Sequence, residues 1–346
     1  MMTDIQPFTL IGATPSPYTR KMVSLLRYRR IPYRIIWNDP GVELKKRGIA
    51  LPKIPLLPTC LMNNTDGDPI AVCDSTPIIR QLESKFVERS VIPTDPVIAF
   101  FDYLLEDFAD EWCTKYMFHY RWSPPQDADN AGTLLPFCSK VDLADDTFQH
   151  FKVFVTDRQI NRLKYVGSNE ITTPLIDESY RRFLSALEAS LTRQPFVLGQ
   201  RPSACDFAIF GQLTQLVGFD PTSRRIAHEI APRVVAWTSV MEDQCGLDVS
   251  PDDWNNAEQL HENIAELLHE VGRVYVPALL ANTEGLKAGN KQWEATIDGR
   301  LWSQQTFPYQ AKCLTWINEQ YQALSNRDRS RVDTILQSTG CEALLR

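Results

Sequence analysis

The sequence predicts an α/β domain at the N-terminus, an all-α domain behind it, and an appended mixed α/β tail. Three observations carry that prediction. Up to Phe86 the chain alternates short β-rich apolar runs with amphipathic runs of helical period. From Val97 it reads as nearly all helical. From about Ser250 the character changes again, and Asp298-Gly299 sits between two β-rich runs as a two-residue hairpin signal.

Phe8–Ile11 is the first strand, closed by Gly12. Tyr18–Arg30 is a helix, with Ser16 where an N-cap belongs and Pro17 where the first helical residue belongs. Tyr33–Trp37 is β-rich, and Leu44–Gly48 is a short, poorly formed helix. Leu56–Leu61 is a strand opened by Pro55, and Pro69–Val72 is another. The turn-rich segment from Asn63 to Asp68 joins them. Thr76–Phe86 is a helix with Ile78, Ile79 and Leu82 on one face. The order β-α-β-(α)-β-β-α is that of a thioredoxin-like domain, assigned to residues 1–92.

Residues 97–250 form the all-α domain. Val97–Trp122 is a long aromatic helix, and Ser123–Leu143 reads as an irregular excursion rich in Pro, Asp, Asn and Gly. Further helices are Asp146–Val166, Leu175–Leu191, Cys205–Val217 and Pro232–Glu242. The stretch 123–173 reads as an insertion. Residues 251–346 form the tail: a helix over Asn256–Leu280, a hairpin of Trp293–Ile297 and Arg300–Gln304, and helices over Pro308–Leu324 and Arg329–Leu336. Trp302, Phe307, Tyr309 and Trp316 are expected to pack the tail on the helical domain.

Composition narrows the function classes. The 346 residues are 43% hydrophobic with net charge −7, which suits a globular chain with a sizeable core and offers no basic surface for nucleic acid. No apolar run approaches the ~20 residues of a membrane span. Met1–Gln6 lacks the basic and apolar regions of a secretory signal, so a cytoplasmic location is expected. Eight scattered cysteines form no Cys-x-x-Cys pair, so reduced thiols and no metal are expected.

Three short stretches carry chemistry. In Ser16-Pro17-Tyr18, a helix N-terminus gathers free N–H groups and partial positive charge, which favours a thiolate. The Ser16 hydroxyl can accept from its own helix and still donate its proton outward. In Lys53-Ile54-Pro55-Leu56, a cis bond would turn the Ile54 N–H and C=O sideways to pair with a peptide-like ligand. In Cys73-Asp74-Ser75-Thr76-Pro77, Asp74 or Ser75 caps the next helix. The same pair can instead hold a ligand carboxylate on Ser75 and a ligand ammonium on Asp74.

Together, and in this order, the three resemble the glutathione-binding domain of cytosolic glutathione S-transferases. A second stretch, Phe196 to Phe207, resembles the structural capping motif of that family, in which Ser203 caps a buried helix and Asp206 reaches back to the Ser203 N–H. The resemblance covers about Phe8 to Glu242. It fails over Ser123–Thr173 and over the tail.

The resemblance implies a glutathione S-transferase-like fold and a serine-type site. Ser16 takes the catalytic position, Ile54 pairs with the cysteinyl part of glutathione, Pro55 is the cis-proline, and Asp74 and Ser75 hold the γ-glutamyl end. Tyr18, Tyr103, Asp107, Glu111 and Trp112 are candidates for the second-substrate pocket. Two departures matter: serine forms no mixed disulfide, and Asp74 is shorter than the commoner Glu. The implied activity is attack of glutathione thiolate on an apolar electrophile by a homodimer, with glutathione as co-substrate and neither metal, nucleic acid nor membrane as partner. The alternatives are a glutathione-dependent isomerase, lyase or dehalogenase, and a non-catalytic binding protein on the same fold.

Overall fold

The computed structural model describes residues 7–345; Met1–Gln6, read above for a signal, lies outside them. The N-terminal sheet is built from β1 (Phe8–Gly12), β2 (Tyr33–Trp37), β3 (Thr59–Asn63) and β4 (Pro69–Val72), in the order β2-β1-β3-β4. β2 runs parallel to β1, while β3 and β4 are antiparallel additions. Helices α1 (Pro17–Tyr28), α2 (Pro40–Arg47) and α3 (Ser75–Lys85) complete the thioredoxin-like unit. Its core joins Leu10, Cys60, Leu25 and Ile79, all fully buried.

α2 is better formed than expected. Asp39 caps it through the Val42 N–H at 3.0 Å, and Gly48 closes it at φ 67°. β3 begins three residues later than the predicted strand, because its pairing with β1 starts at Thr59 opposite Ile11.

The long helix spans α4 (Pro96–Phe108) and α5 (Thr114–Trp122), joined by a π-turn over Ala109–Cys113. Such turns widen the helix by one residue and recur at functional sites. The irregular excursion expected after Trp122 is instead α6 (Pro125–Ser139). Pro125 occupies its first turn, where no N–H is needed. Gly132, which reads as a breaker, is the point where Thr156 of α7 (Asp145–Ile160) packs onto the α6 backbone.

Then follow α8 (Thr173–Ser190), α9 (Ala204–Leu216), α10 (Pro221–Ile230) and α11 (Pro232–Val240). α10 was not anticipated. The Asp206 carboxylate accepts from the N–H groups of Ser203 and Val197, each at 2.9 Å, which ties the turn to the start of α9.

The tail contains α12 (Ala257–Glu270), a second π-turn over Val271–Tyr275, α13 (Val276–Lys287), the hairpin β5 (Gln292–Ile297) and β6 (Arg300–Gln305), then α14 (Pro308–Ala323) and α15 (Asn326–Leu336). Asp298 and Gly299 form the hairpin turn at φ 46° and 75°, as the two-residue signal requires. One continuous apolar core runs from Leu10 in β1 to Leu344 near the C-terminus. The tail packs on the helical region, with Trp302 fully buried, although Phe307 is 48% exposed.

Candidate glutathione site

Ser16 is the N-cap of α1. Its Oγ accepts from the Thr19 N–H at 3.3 Å, and Pro17 follows at the first helical position. The preceding loop is pinned from the helical region. Arg121, buried and paired with Asp220 at 2.8 Å, donates to the Pro15 carbonyl at 3.1 Å. Gln215 donates to the Thr14 carbonyl at 3.3 Å. α9 also lies against this turn: a Cβ on Gly211 would stand 2.5 Å from the Pro17 carbonyl oxygen. Glycine is therefore what lets the two backbones meet.

The second stretch needs correction. The cis bond is Leu57-Pro58, not Ile54-Pro55. Ile54 is 64% exposed, and Pro55 stands clear of the strand. Prolines recur at 52, 55 and 58, so spacing alone did not choose among them. The available signal was the apolar run Cys60-Leu61-Met62 that follows Pro58 and the β-branched Thr59. Cys73 ties this segment to the next: its Sγ lies 3.3 Å from Thr59 Oγ1 and 3.5 Å from the Leu56 nitrogen.

Asp74 holds φ 81° and ψ 111° at the N-cap of α3, and its side chain makes no cap bond. A non-glycine residue at such a φ costs of order 1–3 kcal/mol and calls for a reason. Its carboxylate instead accepts the Tyr309 hydroxyl of α14 at 2.7 Å. Burial raises the Asp74 carboxyl above its ordinary range, and the Tyr309 bond and Lys21 oppose that. Ser75 beside it is buried.

The two helix N-termini are joined underneath by charges that sequence reasoning missed. Lys21, 1% exposed, bonds Glu106 at 2.8 Å and Asp110 at 2.6 Å. Thr76 donates to Glu106 at 3.0 Å, and Arg80 pairs with Glu106 at 2.7 Å. Burial would raise the Glu106 carboxyl, but Arg80 and Lys21 overcome it and hold the group below the usual range. For Asp110 burial wins, and its carboxyl is raised. A signal was present: Asp102, Glu106 and Asp110 repeat every four residues, and Lys21 falls on the α1 face of Pro17, Leu25 and Tyr28.

Three of the expected second-substrate residues, Asp107, Glu111 and Trp112, lie under the tail. Trp112 is fully buried and packs on Trp302 with centroids 5.2 Å apart, so it is a core residue and not an open lining. Asp107 accepts the Tyr275 hydroxyl at 2.6 Å, and Glu111 accepts from Gln310 at 3.3 Å. Burial pushes these carboxyls up to about 7 and about 8. Tyr103 lies beneath the Arg80 guanidinium, 5.5 Å from its ring centroid. Tyr18 spends its hydroxyl on the Asp110 carbonyl at 2.7 Å.

Residues 10–90 match the family model described as glutathione S-transferase, N-terminal domain. This segment, with its β2-β1-β3-β4 sheet, is thus a glutathione S-transferase-type N-terminal domain, followed by a largely helical region. Among solved structures, a glutathione S-transferase from Methylobacterium radiotolerans in complex with glutathione sulfonate is 18% identical, covering 68% of this chain and 91% of its own, with TM-score 0.39. The Tau class enzyme of mango, Mangifera indica, is 17% identical over 75% of this chain and 98% of its own, with TM-score 0.40. A glutathione transferase from Burkholderia graminis with two bound glutathione molecules per subunit is 17% identical over 68% and 82%, with TM-score 0.41. At these values the similarities assign no activity to this chain. No curated protein matches it.

Proposed function

We propose that the chain is a glutathione transferase-like protein that binds glutathione across the N-termini of α1 and α3. The observation that carries this reading is Asp74: a carboxylate at φ 81° on a helix N-terminus that it does not cap, beside buried Ser75. Such a pair suits a zwitterion, with the ligand carboxylate on the N–H groups and Ser75 and the ammonium on Asp74. Ser16 stands at the other N-terminus with its Oγ accepting from Thr19, so its proton is free for a thiolate.

The magnitudes are adequate. A free thiol near pKa ~8.5 is only a few per cent ionised at neutral pH, and lowering it by two units needs about 2.7 kcal/mol. One hydroxyl bond to a charged group supplies about 1.5–3 kcal/mol, and a helix N-terminus adds roughly 0.3–1 kcal/mol. The thiolate then attacks an electrophilic carbon, the carbon–sulfur bond forms, and the leaving group departs with its electron pair.

Glutathione affinity and turnover test this together. Ser16→Ala should cut turnover of a chlorodinitrobenzene about tenfold to a hundredfold while changing the glutathione dissociation constant less than threefold. Unchanged turnover removes Ser16 from the mechanism. No binding at millimolar glutathione removes the reading altogether.

The coverage of Asp107, Glu111 and Trp112 by the tail favours a second reading, a glutathione-binding protein without transferase activity. Tight glutathione binding with no turnover of any small electrophile selects it.

A further inference from the structure

Asp74 sits where a capping side chain belongs and caps nothing. The side chain that donates to it comes from 235 positions further along the chain, through the Tyr309 hydroxyl at 2.7 Å. Tyr309 is rigidly delivered. The start of α14 is fixed by a reciprocal pair, Phe307 N–H to Asn282 Oδ1 at 2.7 Å and Asn282 Nδ2 to the Phe307 carbonyl at 3.0 Å. Asn282 is fully buried. The next residue, Gln310, is buried and donates to Glu111, while Cys313 and Ile317 sink into the core one and two turns on. The ring of Tyr309 meets Trp316 edge-on at 5.8 Å.

We propose that Tyr309 is a positioning residue of the glutathione site, supplied by the C-terminal segment, which fixes the Asp74 carboxylate for the ammonium group of the ligand. This deepens the glutathione reading above and rests on it. A carboxylate accepts at about four lone-pair positions, so the Tyr309 bond to Oδ2 leaves Oδ1 open to a second donor. Aspartate reaches one methylene less far than glutamate, so its contact depends on being held at one rotamer. No first-turn N–H of α3 makes a full capping bond to it, although the Thr76 N–H lies near enough to favour its charged form. On this account the α/β domain does not complete its own amino-acid subsite, and a segment beyond residue 300 is part of it.

The test is calorimetric titration of the full chain with two ligands: glutathione, and the analogue lacking the γ-glutamyl amine, glutaryl-cysteinylglycine. Tyr309→Phe removes one hydrogen bond to a charged group and should weaken glutathione about tenfold. It should change analogue binding less than twofold, because the analogue has no ammonium to misplace. In an Asp74→Asn background, Tyr309→Phe should add almost nothing, since the two residues act as a unit. Equal losses with both ligands overturn the proposal and leave Tyr309 a packing residue. Unchanged or tighter glutathione binding also overturns it, the latter making Tyr309 a competitor for Asp74. If the unsubstituted chain binds neither ligand, the glutathione reading fails first, before any variant is made, and the positioning role falls with it. Binding of the analogue by Tyr309→Phe at the unsubstituted level is also the control that the variant is folded.

Discussion

Replacing Lys21 by methionine probes the junction that holds the two helix N-termini in place. Lys21→Met keeps the chain length and helix propensity but removes the cation that bonds Glu106 at 2.8 Å and Asp110 at 2.6 Å. The side chains of Lys21, Glu106 and Asp110 are 1%, 1% and 11% exposed, so solvent cannot take over. Breaking a buried pair by removing one partner costs about 3–5 kcal/mol. Arg80 still pairs with Glu106, so the lower half of that range is expected there. Asp110 is worse placed, since its Oδ1 has no partner even with Lys21 present. Its remaining escape is to take up a proton. With Lys21 in place burial already raises this carboxyl to about 6, so the proton adds about 2 kcal/mol at pH 7.5 and close to nothing at pH 4.5. Lys21 itself is held charged: burial would lower its ammonium, but Asp110 and Glu106 raise it, so its contribution is fully present below its unfolded value near ~10.4. Urea unfolding should therefore show a loss of about 3–5 kcal/mol at pH 7.5, shrinking to about 1–2 kcal/mol at pH 4.5. A loss below 1 kcal/mol at pH 7.5, or one that does not change with pH, would refute the reasoning.

Two further outcomes follow from the same packing. Asp107 and Glu111 are raised to about 7 and about 8 by burial, so the folded chain holds their protons more tightly than the unfolded one, and their contribution is lost as pH rises from about 4 through those values. The chain should lose on the order of 2 kcal/mol or more between pH 5.5 and 8.5, and Asp107→Asn with Glu111→Gln should flatten that slope in denaturant melts. Gly211→Ala puts a methyl 2.5 Å from the Pro17 carbonyl oxygen and should cost about 1–3 kcal/mol. Because α1 must shift, chlorodinitrobenzene turnover should fall with it; a normal melt and normal turnover would show that the α1–α9 contact is not close.

What the sequence made legible depended on whether a residue's role was local. The cap at Ser16-Pro17, the hairpin at Asp298-Gly299 and the Ser203–Asp206 turn are decided within a few residues of chain, and each forms as read. The cis bond was misplaced because three prolines recur at equal spacing and the choice is made by where β3 begins to pair with β1. α6 was misread because its prolines and glycine look like breakers in isolation. One opens the helix and another serves contact with α7, a fact of packing. Tyr309 on Asp74 was out of reach for the same reason: nothing near either residue announces a partner 235 positions away.

The row of carboxylates along α4 and the π-turn behind it shows how the tail changes the site beyond covering it. Glu106 and Asp110 face cations from the α/β domain, Lys21 and Arg80, which oppose burial and for Glu106 defeat it. Asp107 and Glu111 point the other way and meet neutral donors from the tail, Tyr275 and Gln310. Neutral donors cannot offset the desolvation of a charge, so those carboxyls keep their protons to near neutrality. The same helix thus presents ionised groups to one partner and protonated groups to the other. Cutting the chain after residue 250 would expose apolar surface and also return Asp107 and Glu111 to water, where both ionise. That face of the truncated long helix would then carry two extra negative charges. A truncated protein would therefore report on a different electrostatic site, and the single-atom changes at Tyr309 and Ser16 are the cleaner probes of the intact one.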